Sequence, residues 1–246
     1  MTKEKPISKP KVILVEGKDE ELFFVSMIER LGLTPEIAAR SIDGKDKLSA
    51  ALKALRNDPG HLLLTSVGII RDADNKADSA FHSVCTALQN AEWPVPNGPL
   101  ESTGYNPKVT VMILPVGKQT GMFEDVFLDS VADDPAMQCV NQYFQCLTQC
   151  LNELPNSLSK ACVRAFLVSR EVLEESYFEF LQDKLEEWIP GMPAAPSTEK
   201  VHAFLASKYK PTLNLGVSAA AQRSGEAYWP FEHPAFDAIR KFITEL

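Results

Sequence analysis

No apolar run in these 246 residues approaches the roughly 20 that a helix needs to cross a bilayer, so a membrane-spanning role is not expected. The opening residues, MTKEKPISKPK, are basic but lack the apolar stretch of a secretory signal. They read as a short tail before the first strand, in a cytoplasmic protein. Histidine is sparse: His61, His82, His202 and His233 are scattered, with no Cys–His pairing and no nucleophilic serine motif beside them. Five cysteines are an odd number, which suits a reducing compartment better than a disulfide framework. Cys139, Cys146 and Cys150 recur at spacings of seven and four and could share one helix face. A zinc site would need a fourth ligand, and none lies at a familiar spacing, so these thiols are expected to pack as small hydrophobes. An excess of positive charge is also missing. Up to residue 118 the chain carries 15 Lys+Arg against 15 Asp+Glu; the remainder carries 10 against 18, the whole of the net −8. Nucleic-acid binders usually present a broad basic face. Binding here would need a local patch, metal ions or a partner subunit. Gly117-Lys118 lacks the rest of a nucleotide-binding loop, and no internal repeat or low-complexity segment is present.

What is present is an alternation. Val12-Ile13-Leu14-Val15, Ser66-Val67-Gly68-Ile69-Ile70 and Val109–Leu114 are compact apolar runs of the kind that buried parallel strands give, and residues 36–42 make a further strand. Between them, helical patterns cover Leu22 to Leu31, Leu48 to Arg56 and Lys76 to Ala91. Residues 94–107 are rich in Pro and Gly and read as a long surface loop. The order β-α-β-α-β-α-β predicts a mostly parallel four-stranded sheet with helices on both faces. Beyond residue 120 the pattern turns helical: residues 124–131, 135–151, 160–188 and 198–209, with Pro190–Pro196 as a linker. Residues 233–246 form a closing helix with Phe236, Ile239, Phe242 and Ile243 inward. The expected division is an α/β unit over residues 11–118 and a helical extension over 119–246 packed on it.

In a parallel sheet, ligands bind outside the carboxyl ends of the strands. Glu16 ends the first strand there, and Asp72 and Asp74 end the third. In an extended strand end, residues two apart point to the same side. Carboxylates gathered this way repel, by about 4 kcal/mol for a pair 4 Å apart at an effective dielectric near 20. A bound cation relieves the conflict, and hard oxygen ligands suit Mg²⁺ or Mn²⁺. Glu124 and Asp125 follow the fourth strand and could reach the same rim as a second metal site; equally, they are acids complementing the dipole of a helix start. Lys18, Lys45, Arg71, Lys76 and Lys118 all fall in predicted loops at the same end, either as ordinary solvated surface or as a local phosphate-binding patch. Lys18, two residues from Glu16, is the first candidate among them.

Val15-Glu16-Gly17-Lys18-Asp19 after the first strand, with Asp72-Ala73-Asp74-Asn75 after the third, resembles the Toprim signature of a lone Glu and a later Asp-x-Asp. With Gly121-Met122-Phe123-Glu124-Asp125 and the closing Trp229-Pro230-Phe231, the chain is similar to small standalone Toprim-like proteins allied to the overcoming-lysogenisation-defect (OLD) nucleases. The resemblance implies that Glu16 acts as general acid or base and that Asp72 and Asp74 help to hold Mg²⁺. Toprim proteins that break and rejoin DNA use a tyrosine from another domain, and none of the five tyrosines here has a motif that nominates it. The reading is a Mg²⁺-dependent phosphotransfer enzyme, a nuclease acting on DNA or RNA, with Lys18, Arg71, Lys76 and Lys118 as phosphate contacts. Two alternatives stand beside it: a non-catalytic module that binds a protein or nucleic-acid partner, and an enzyme of small phosphorylated substrates.

Overall fold

The structure, a computed structural model, describes residues 6–151, 155–171 and 229–246. Strands β1 (Lys11–Val15), β2 (Ile37–Ser41), β3 (Ser66–Asp72), β4 (Ser102–Thr103) and β5 (Lys108–Leu114) form one sheet in the order β2-β1-β3-β5-β4. All neighbours are parallel except β4, which runs antiparallel to β5. Helices α1 (Lys18–Arg30), α2 (Leu48–Asn57) and α3 (Ala77–Asn90) make the crossovers. After the sheet come α4 (Phe123–Ser130), α5 (Pro135–Leu151), α6 (Leu158–Glu171) and a closing helix, here α7 (Asp237–Glu245). The expected linker Pro190–Pro196, the helix over 198–209 and the far part of the helix over 160–188 lie outside the described residues.

Strand alternation decides the layers. Val12 and Leu14 face one core with Leu52 of α2, Val84 and Leu88 of α3, Ile69 and Val111. Ile13 and Val15 face the other, built by α1, α4, α5, α6 and α7 through Phe23, Phe127, Phe144, Phe166 and Phe242, with Phe236 just before α7. The second core is dominated by aromatic edges: Phe23 meets Phe123 and Phe127 at centroid distances of 5.0 and 5.1 Å, and Phe127 meets Trp229 and Phe236 at 5.0 and 5.2 Å. Such pairs contribute about 0.5–1.5 kcal/mol each beyond their burial. Gly68, in the middle of β3, makes room for this layer, because a Cβ there would lie 2.8 Å from the Phe242 ring of α7.

Three expectations change. The sheet has five strands rather than four: two residues of the Pro- and Gly-rich loop, Ser102 and Thr103, pair with Thr110 and Val109, a stretch too short to show a period. Strand β3 runs two residues past Ile70 to Asp72, and its Arg71 pairs with Ile113 rather than standing in a loop. The three cysteines of α5 are exposed instead of packed in a core. Met137, Val140 and Phe144 take the buried face of α5, which turns the Cys139, Cys146 and Cys150 face outward.

Candidate functional site

Because β1 and β3 are parallel neighbours, their carboxyl ends open on one rim. Glu16 follows Val15 there, and its Oε1 accepts the Asp72 N–H at 3.4 Å. Asp72 Oδ1 in turn accepts the Phe123 N–H at 2.8 Å, so the first turn of α4 docks directly on the end of β3. The two-residue spacing of Asp72 and Asp74 holds both on one side only while the chain stays extended. At Asp74 it turns into the left-handed region (φ 50°), and the Asp74 carbonyl accepts from Gly121 N–H at 2.9 Å. The two carboxylates consequently have different partners. Asp74 Oδ2 lies 3.2 Å from Lys45 Nζ and 3.7 Å from Arg71 Nη2, whereas Asp72 looks towards α4.

Two further acids complete the cluster. Glu20, in the first turn of α1, folds back over Gly17: a Cβ on that glycine would stand 2.6 Å from Glu20 Oε2. Glu124, in the first turn of α4, is buried, with Lys160 of α6 3.8 Å from its Oε1. Burial raises the Glu20 carboxyl above its ordinary range, and the charges of Glu124 and Glu16 add to that. Burial also raises Glu124, with Lys160 opposing. Asp72 is affected most. Burial, then the charges of Glu16, Glu20 and Glu124, push it up to about 8.

The other nominated residues have clear engagements. Both oxygens of Asp125 are committed to structure, Oδ2 accepting the Met122 N–H at 2.8 Å and Oδ1 the Ser159 hydroxyl at 2.5 Å. Asp125 therefore caps α4 and ties α6 to it, while Glu124 alone of the pair faces the cluster. Lys18 opens α1 and pairs with Glu21 at 2.8 Å, its amine largely in solvent. Lys118 pairs with Asp129, and Lys76, exposed, immediately precedes α3. Arg71 is the correction: it is 8% exposed, inside β3, with Nε 3.0 Å from Glu16 Oε1. Its Nε–H makes no hydrogen bond to that oxygen or to any other acceptor among the described residues, so the contact is an ion pair without a formed hydrogen bond.

The donor set is of hard carboxylate oxygens, and a divalent charge would offset the repulsion that burdens Asp72. In kind, the residues fit Mg²⁺ or Mn²⁺. In arrangement, no group of three or more His, Cys, Asp or Glu among the described residues is disposed to hold a metal ion. Glu20 and Lys160 are the residues that sequence reasoning missed. Glu20 stands four residues after Glu16, a spacing that was visible, but an acid in a first helical turn reads as ordinary dipole complement. Lys160 comes from a distant helix, and no local signal marks it.

A family model described as a protein of unknown function (DUF3226) matches residues 10–185. The chain belongs to the DUF3226 family. The stretch that the DUF3226 model matches includes Glu16, Glu20, Asp72, Asp74, Glu124 and Lys160. Among solved structures, this DUF3226 chain is similar to the C-terminal region of the OLD protein of Xanthomonas campestris pv. campestris, with 16% identity, a TM-score of 0.39, and 96% of this chain and 95% of that one covered. It is also similar to a hypothetical protein of Pyrococcus horikoshii OT3, with 14% identity, a TM-score of 0.49, and 86% and 100% covered. No curated protein matches the chain.

Proposed function

We propose that the chain is a divalent-metal-dependent phosphotransfer enzyme, a nuclease acting on DNA or RNA. The observation that carries this reading is the meeting of Glu16, Asp72, Glu20 and Glu124 where β1, β3, α1 and α4 converge on one rim. Asp72, with one of the neighbouring glutamates, would hold Mg²⁺ or Mn²⁺. Mg²⁺ commonly keeps several waters and takes only one or two carboxylates, the substrate phosphate completing its shell. That habit agrees with a site in which three protein ligands are not pre-assembled. When bound, such an ion supplies positive charge against phosphoryl oxygens. The chain's own groups supply the rest. Burial raises the proton affinity of Glu20 and Glu124, which suits either carboxyl to give a proton to a departing oxygen. Glu16 is the general acid or base that the Toprim resemblance implies. Lys160, and Lys45, Lys76 and Lys118 on the rim, bring positive charge to a phosphate backbone that the net charge of −8 would otherwise repel.

One observation favours a second reading, a binding module without turnover. Arg71 and Lys45 already neutralise Glu16 and Asp74 from within the protein, which a scaffold would need and a metal enzyme must undo. Incubation of the purified protein with single- and double-stranded DNA and RNA, in Mg²⁺ and in Mn²⁺, separates the two. Cleavage that falls by about a hundredfold or more in Glu16→Gln and Asp72→Asn supports the enzyme, since removal of a proton-transfer or charge-stabilising group has that size of effect. Intact substrates throughout, or cleavage indifferent to Asp72→Asn, would overturn it.

A further inference from the structure

Of the three carboxylates nominated as metal ligands, two are already paired with cations of the protein itself. Glu16 is met by the Arg71 guanidinium at 3.0 Å, and Asp74 by Arg71 at 3.7 Å and Lys45 at 3.2 Å. Among the described residues Asp72 has no cation in its hydrogen bonds and ion pairs; its carboxylate accepts the Phe123 N–H. We infer that Arg71 is a built-in competitor of the metal ion, withholding Glu16 and Asp74 so that the protein alone binds a divalent cation weakly and from the Asp72 side. The inference rests on the metal-dependent reading above and concerns how that site is regulated.

Three properties of Arg71 carry it. Its charge is permanent, because guanidinium does not deprotonate in proteins, so the competition cannot be relieved by pH. It is fixed by the sheet: Arg71 pairs in register with Ile113 on β5, and 8% exposure leaves the head little freedom to swing into solvent. A planar fork can also bridge two carboxylates at once, which the ammonium of a lysine does poorly. Pairing is nevertheless imperfect. Among the described residues the Nε–H is a buried donor with no acceptor, a state that costs free energy and leaves the guanidinium less firmly held than a fully bonded one. A substrate phosphate on the rim that drew the guanidinium towards itself would loosen its hold on Glu16 and Asp74 and favour their turning to the metal, so substrate and ion would assist each other's binding.

The test is Mn²⁺ binding to the whole chain, followed by calorimetry and by the enhancement of water-proton relaxation, neither of which requires turnover. Arg71→Met should bind Mn²⁺ at least about tenfold more tightly than wild type, since it frees Glu16, leaves Asp74 to Lys45 alone and removes a buried positive charge beside both. Arg71→Lys should fall between them. Lys45→Ala removes only the nearer of the two cations on Asp74, should gain less than Arg71→Met, and alters an exposed side chain whose loss leaves the core untouched. If Arg71→Met does not fold, Arg71→Lys and Lys45→Ala decide the matter. Affinities within about twofold of wild type in these variants, with binding still lost in Asp72→Asn, would overturn the role of Arg71 and leave the metal site standing. No binding by wild type or by any variant would overturn both.

Discussion

Asp72→Asn should make the metal-free protein more stable, by an amount that grows with pH. Asp72 is raised from its ordinary 3.8 to about 8 by burial and by three neighbouring carboxylates. In the unfolded chain it loses its proton near pH 4; in the folded protein it keeps it until about pH 8. Below pH 4 both states are protonated and the residue contributes nothing to the pH dependence. Between the two values the folded state binds the extra proton, so stability falls as pH rises, and above pH 8 the loss levels off. At pH 7 the interval is about three units at about 1.36 kcal/mol each, a ceiling of about 4 kcal/mol. Sharing of the proton within the carboxylate cluster lowers that figure. Asparagine escapes the penalty while keeping an oxygen for the Phe123 N–H. Urea unfolding in the presence of a chelator, from pH 4 to 9, should show two curves that meet at the acid end and part steadily towards pH 8. Adding Mg²⁺ at a hundredfold excess over its dissociation constant should stabilise wild type alone, by about 2.7 kcal/mol, and close much of the gap. Parallel curves, or a mutant less stable than wild type at pH 8, would refute the reasoning.

Two other perturbations probe the scaffold of the rim. Gly121→Ala should cost about 1–3 kcal/mol in urea unfolding, because φ there is +128° and the new methyl would meet the Pro115 ring and Asp125 Oδ2 at 2.8 Å. Asp125→Ala should cost about 1 kcal/mol through the lost cap of α4. Combined with Ser159→Ala its effect should be less than additive, since the two side chains share one hydrogen bond; strict additivity in the double-mutant cycle would mean that the bond is idle.

The layers of this fold were open to reading because buried parallel strands write themselves as unbroken apolar runs, and Val12–Val15, Ser66–Ile70 and Val109–Leu114 are such runs. The rim acids followed from topology, since parallel strands bring Glu16 and Asp72 to one end whatever lies between them. Arg71 was misread because charge is taken as the end of a strand, whereas here a neighbouring carboxylate makes a charged strand residue tolerable. Asp74 has partners unlike those of Asp72 because the period of two lapses where the chain turns left-handed. Asp125 and Glu124 looked alike in sequence, and only the placement of α6, with Ser159 beside one and Lys160 near the other, separates a cap from a member of the acid cluster. The outward thiols of α5 depended on which of two helix faces packs, a choice made by larger residues elsewhere on the same helix.

The first turn of α4 has a consequence for how this protein can vary. Phe123 places its ring in the aromatic interior, 4.9 Å from that of Phe127, while its backbone N–H holds Asp72 and the next residue, Glu124, supplies a charge that perturbs Asp72. Interior and rim thus meet within two consecutive residues, with no spacer to absorb a displacement. A substitution among the phenylalanines that shifts this turn by a few tenths of an ångström alters a proton equilibrium as well as a packing energy. Changes in the oily centre of the molecule are therefore chemical changes, and the two kinds of variation must be accepted or rejected together.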